Sequence, residues 1–197
     1  MKKLLTVIMF FIVCISCCAC GEEAKNDLYD DFNRMTKAEY TDYRIEVCSV
    51  SDDNALNSTY KVKAENGMNK IEYTYEVLNP ISDIDGEIVM PSEYKSVKSG
   101  TVTVKNGKII EQNGEELNIE VGRIDKIGLK FNESYFTNII SETNCFKAQV
   151  KNVEGFTGKS ISCAEMDVEI EYKENKFEQI VISYVSNTIS TEIKYIF

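Results

Sequence analysis

From Met166 to Phe197 the chain alternates apolar and polar residues almost without a break: "MDVEIEYKENKFEQIVISYVSNTISTEIKYIF". A period of two sets Met166, Val168, Ile170 and Tyr172 on one face and Asp167, Glu169 and Glu171 on the other, which only a strand can do. Glu174-Asn175 and Ser186-Asn187 interrupt the pattern where turns are needed. Between them, Ile180, Ile182 and Tyr184 interleave with Val181 and Val185, so the middle strand is apolar on both faces and is predicted to be interior. Three consecutive antiparallel strands therefore close the chain.

The same period appears upstream. Tyr43, Ile45 and Val47 alternate with polar residues, as do Tyr60, Val62 and Ala64, and Ile71, Tyr73, Tyr75 and Val77 line the strand that returns after Asn66-Gly67. Asn-Gly tolerates the positive φ of a two-residue hairpin turn. Val102 and Val104 resume the alternation, Asn106-Gly107 leads into Ile109 and Ile110, and Asn113-Gly114 is read as another turn toward Ile119 and Val121. Residues 79–99 hold both prolines, Pro80 and Pro91, and read as an excursion with a short strand near Ile88 to Met90. Two segments depart from the strand period. Leu28, Phe32 and Met35 recur at helical spacing behind Asn26 or Asp27, giving a predicted amphipathic helix over 27–38. Tyr135, Phe136, Ile139 and Ile140 suggest a short second helix capped near Ser134. The predicted fold is mainly β, with α+β at the margin. It is a curved antiparallel sheet or half-barrel with an N-terminal helix and a short second helix packed on it.

The N-terminus carries a different signal. Lys2 and Lys3 precede an uncharged apolar run from Leu4 to Ile15, about a dozen residues where a membrane span needs roughly 20, so it fits a signal-peptide core. "CISCCACGEE" follows, with Cys14, Cys17, Cys18 and Cys20. This resembles the bacterial lipoprotein signal, in which small residues precede a cysteine that is acylated before the leader is removed. Cys20, between Ala19 and Gly21, fits best as the lipid attachment point; Cys17, after Ser16, is the alternative, and Cys18 fits less well. A metal knuckle and a plain secretory signal cut near Ala19 compete with this reading. The resulting organisation is a removed leader over 1–19, a tether over 20–26 and one domain over 27–197. The protein is expected at the outer face of the bacterial cell membrane, held by two acyl chains.

Charge and missing residue types narrow the function. The net charge is -10, and with the two leader lysines gone the remainder holds 20 basic residues against 32 acidic ones. Such a surface repels phosphate backbones, so nucleic acid is not an expected partner. Histidine is absent, which removes the commonest general base and metal ligand together. Ser-Lys or paired-carboxylate hydrolysis remains open, yet no spacing singles out such a pair, and the expectation is a non-enzyme with no cofactor and no metal. "EGFTGKS" at 154–160 mimics a phosphate-binding loop, but Val153 stands where the motif needs its first glycine; Gly155 and Gly158 read as turn formers. "SDIDGE" offers Asp83, Asp85 and Glu87 at alternate positions without the later ligands of a calcium loop. Cys48, Cys145 and Cys163 read as structural, with a Cys145 to Cys163 bridge open to either outcome.

Across residues 27–197, one leading helix, long hairpins, a helical interruption and a terminal meander resemble the LolA/LolB-like lipoprotein-carrier superfamily. The resemblance is one of layout and is best expressed at Asp167 to Phe197. It implies a strongly curved sheet whose concave face, closed by helices, can hold acyl chains. Tyr60, Tyr73, Tyr75, Phe131, Tyr172 and Tyr184 fall on predicted strands and are the candidate ligand-binding residues. The favoured reading of the same aromatics is core between sheet and helix, since aromatic stripes on strands usually pack. The expected partners are thus the membrane through the anchor, and either a hydrophobic ligand or another envelope protein.

Overall fold

The computed structural model describes residues 28–51, 54–78, 81–82, 88–89, 95–114 and 126–197. The acylation candidates Cys17 and Cys20, the tether, the capping residues Asn26 and Asp27, the acidic run Asp83 to Glu87 and the predicted strand at Ile119 to Val121 lie outside them. Residues 28–35 form helix α1. The strands are β1 (Asp42–Val50), β2 (Ala55–Glu65), β3 (Met68–Leu78), β4 (Ile81–Ser82), β5 (Ile88–Val89), β6 (Lys95–Lys105) and β7 (Lys108–Gly114). They continue with β8 (Phe136–Glu142), β9 (Cys145–Val150), β10 (Met166–Lys173), β11 (Lys176–Ser186) and β12 (Ile189–Ile196), and helix α2 (Val153–Thr157) lies between β9 and β10.

Among the described residues, ten strands form one curved, unclosed antiparallel sheet in the order β7-β6-β3-β2-β1-β12-β11-β10-β9-β8, while β4 and β5 pair separately. Two meanders, one from each half of the chain, meet where the first strand pairs with the last: Ile45 lies opposite Tyr195 and Val47 opposite Ile193. One row of side chains crosses the whole sheet on its inner face. It runs Ser141, Phe146, Ile170, Ile180, Tyr195, Ile45, Tyr60, Tyr73, Gly100, Gly114. It ends in two glycines for two reasons: a Cβ on Gly100 would collide with the Tyr73 hydroxyl and lie 2.6 Å from the Asn113 carbonyl oxygen, while one on Gly114, held at φ 95°, would lie 2.7 Å from the Ser99 carbonyl oxygen.

The turns follow from backbone chemistry. Asn66-Gly67, Asn106-Gly107 and Glu174-Asn175 each adopt positive φ at both positions, the twist-matched two-residue connection. The last turn is centred on Asn187-Thr188, one residue beyond the Ser186-Asn187 reading, and Thr188 is held at φ 69°, a costly conformation for a β-branched residue. Asn113 and Gly114 are the last two residues of β7, Gly114 at φ 95°, and the continuation read from them lies outside the described residues.

α1 buries Tyr29, Phe32 and Met35 on the C-terminal half of the sheet. Its Asn33 side chain donates to the Phe131 carbonyl (2.7 Å) and accepts from the Phe131 N–H (3.0 Å), copying a strand partner. Phe131 is therefore not in a ladder strand as the sequence reading had it: in the extended stretch 127–132, Ile127, Leu129 and Phe131 alternate inward and cap the core. The predicted helix near Ser134 is corrected too. Only a 3-10 turn, Glu133–Tyr135, forms behind Asn132, and Ile139 and Ile140 belong to β8. β8 carries an irregularity between Thr137 and Ile140 with Asn138 at φ 51°, which breaks the strand period and gave the segment its helical look. The second helix is instead α2, capped by Asn152, whose side chain accepts from the Gly155 N–H, and closed by Gly158 at φ 68°. No helix among the described residues is long and apolar enough to cross a membrane.

Candidate functional site

The six aromatic candidates separate into two groups on the inner face. Phe131, Tyr172 and Tyr184 join the core beneath α1, where Phe32 is the hub: its ring centroid lies 5.1 Å from Phe131, 5.2 Å from Tyr172, 5.4 Å from Phe146 and 5.8 Å from Phe177. Phe136 and Phe156 fill the far side, 5.3 Å apart. Edge-on and tilted rings at these separations interlock as a packed interior does. The space that the carrier resemblance reserves for acyl chains is occupied here by the protein's own rings.

Tyr60, Tyr73 and Tyr75 form the second group, with Ile45, Val62, Ile71, Val102 and Val104 around them. The Tyr60 hydroxyl donates to that of Tyr75 at 2.9 Å, and the rings of Tyr60 and Tyr73 stand 6.0 and 6.1 Å from that of Tyr75. Burial, followed by the hydrogen bond to Tyr75, pushes the Tyr60 phenol far above its usual range. Tyr195 packs against both groups and is raised by burial alone. Tyr60 and Tyr73 are 3% and 2% exposed, so neither offers its ring to solvent. Three hydroxyl-bearing rings therefore sit together on the inner face, which also carries the buried hydroxyls of Ser58 and Thr191.

The open concavities lie elsewhere. A groove of about 590 Å³ follows β1, β2 and β3 and opens on Arg44, Lys61, Lys63 and Lys70, with Asp42, Glu65 and Glu72 between them. Register explains its electrostatics: across the three strands run Arg44-Lys61-Glu72 and Asp42-Lys63-Lys70, so each row holds one like pair and one opposite pair. The like pairs oppose sheet formation. Within their own strands Arg44 pairs with Glu46 at 2.9 Å and Lys63 with Glu65 at 2.7 Å, which holds Glu65 below and Lys63 above their ordinary values. A second groove of about 290 Å³ lies over β9, β10 and β11, bordered by Lys147, Asp167 and Glu169. The sequence reading missed the first groove because its residues are ordinary alternating charges until register sets the like pairs side by side.

Cys48, Cys145 and Cys163 are free thiols. Burial pushes the Cys145 thiol up, away from the reactive thiolate. Among the described residues, no three Cys, Asp or Glu side chains converge as a metal-ligand set. Comparison with protein families and with curated protein sequences finds no match.

Proposed function

We propose that this chain is an exported, lipid-anchored, non-catalytic domain that recognises another envelope protein through the outer face of its sheet. The observation that carries the reading is the groove over β1 to β3: four basic side chains are collected there, two pairs of them directly opposed, on a chain whose net charge is -10. Glu72 opposite Lys61 and Asp42 opposite Lys63 offset part of that repulsion, and a partner's carboxylates complete the offset where basic groups outnumber acidic ones in the groove. The antiparallel sheet beneath supplies a rigid platform, and the acyl chains on Cys20 confine it to the membrane surface. The test is photo-crosslinking from position 61 in intact cells, compared with a chain that keeps the crosslinker there and also carries Lys63→Glu and Lys70→Glu. One partner band that disappears in the charge-reversed chain supports the reading; crosslinks indifferent to the reversal refute it. Cys20→Ala should release the protein from membranes, and release by Cys17→Ala in its place would move the attachment site.

A second reading has its own observation. Tyr60, Tyr73 and Tyr75 gather hydroxyls inside an apolar cluster, and an apolar ligand with a polar end would reach them by displacing what now buries Tyr60 and Tyr73. Native mass spectrometry of the full chain distinguishes the two, since only this second reading requires a co-purifying lipid.

A further inference from the structure

β7 ends the sheet, and all seven of its residues are exposed. Among the described residues no strand lies on its outer side, so its outward N–H and C=O groups form a template for another strand. Its sequence begins Lys108-Ile109-Ile110-Glu111, and Ile110 is 56% exposed, a large apolar side chain on an open edge.

The register of β7 against β6 decides which face each residue uses. Val102 and Val104 are buried on the inner side, so Thr103 and Lys105 point outward. Lys108 lies opposite Lys105 and Glu111 opposite Thr103, whose hydroxyl donates to Glu111 Oε2 at 3.5 Å. Lys108 and Glu111 therefore share the outer face although they are three positions apart. In an unbroken strand they would face opposite ways. The shift comes from a bulge, in which Val104 pairs with Ile109 and Thr103 with Glu111, leaving Ile110 as the extra residue.

We infer that β7 pairs antiparallel with β7 of a second copy, about a two-fold axis passing between Ile109 and Ile110. In that register Lys108 faces Glu111 of the second copy, Ile109 faces its Ile110, and both contacts occur twice. An axis perpendicular to the sheet keeps the two inner faces on one side, so opposed residues must share a face. Without the bulge this register would set outward residues against inward ones; with it, the charges match outward and the isoleucines meet on the other side. The bulge, elsewhere a device against edge pairing, here selects one register.

The other edge competes less well. β8 also exposes Ile139 and Ile140, and the β7 to β8 register that answers Lys108 with a carboxylate sets it opposite Glu142. That union is head-to-tail, so the edges it leaves are again complementary and it propagates, whereas β7 to β7 uses the same edge on both copies, closes at two and satisfies both charges of each strand. This register pairs only Lys108 to Glu111 of each copy and buries little area, so the association is weak and concentration-dependent.

The test is sedimentation velocity of the full chain in a density-matched detergent, up to roughly 1 mM, the range that weak association requires. The expected result is a monomer–dimer equilibrium that Lys108→Glu or Glu111→Lys each weakens roughly tenfold or more, as two pairs become repulsions. The double variant Lys108→Glu/Glu111→Lys should return to the parent affinity, and Glu142→Lys should leave it unchanged. All three positions are exposed, so the variants keep the fold. Monomer at every concentration overturns the inference, as does a double variant no better than the single ones, or an effect of Glu142→Lys equal to that of Glu111→Lys.

Discussion

Replacing Phe32 by Ala probes whether α1 is welded to the sheet or merely rests on it. Phe32 is 0% exposed and touches four other rings, from Phe131 on the capping stretch to Phe177 on β11. Losing its transfer from water costs about 2–3 kcal/mol. The hole left behind, roughly 80 Å³ if the neighbours do not collapse, adds about 2 kcal/mol at ~24 cal/mol per Å³. The expected loss is about 4 kcal/mol, against a total stability of about 5–15 kcal/mol for a domain. Urea unfolding followed by tyrosine fluorescence should then shift its midpoint down by about 2 M, for a slope of about 2 kcal/mol/M. Phe32→Leu, which keeps most of the volume, should cost under about 1.5 kcal/mol. A Phe32→Ala midpoint within about 0.5 M of the parent would refute the packed interior and reopen the space beneath α1 to a ligand.

Four further outcomes follow from particular contacts. Asn33→Ala strands the Phe131 N–H and carbonyl together and should cost about 2 kcal/mol in the same assay, whereas Asn33→Asp should cost less because it keeps the acceptor. Gly100→Ala drives a methyl into the Tyr73 hydroxyl and a backbone carbonyl, and a loss of about 1–3 kcal/mol is expected; pairing it with Tyr73→Phe should recover part of that loss. Thr188→Gly relieves a β-branched residue from positive φ and should raise stability by about 1 kcal/mol, read as a higher melting temperature. Tyr195 is raised by burial, so the folded state keeps its phenol proton where the unfolded state has lost it. Stability is then level below about pH 10 and falls as the pH rises beyond it, and Tyr195→Phe should flatten that alkaline fall.

What could be read along the chain was read through local physics. Strands such as Met166–Lys173 and turns such as Asn66-Gly67 are legible because alternation and positive φ are properties of neighbouring residues. The two departures have local causes as well: β8 looked helical because its irregularity at Asn138 broke the strand period, and α2 escaped notice because five residues make little more than one turn. Of the candidate aromatics, each was found on the inner face, yet their division into a filled core and a tyrosine cluster depends on where α1 and the 127–132 stretch settle.

The sequence alone thus determined that this chain would be an antiparallel β protein with one leading helix, since periodicity and turn chemistry act over two to four residues. Only the tertiary structure decided how the two meanders join, because the Ile45 to Tyr195 pairing is made by residues far apart in the chain and no neighbouring pattern encodes it. Only it decided that Arg44 would meet Lys61, and that one inserted residue would turn Lys108 and Glu111 to the same side. Those are matters of register, which is set when distant strands meet and bury a common face.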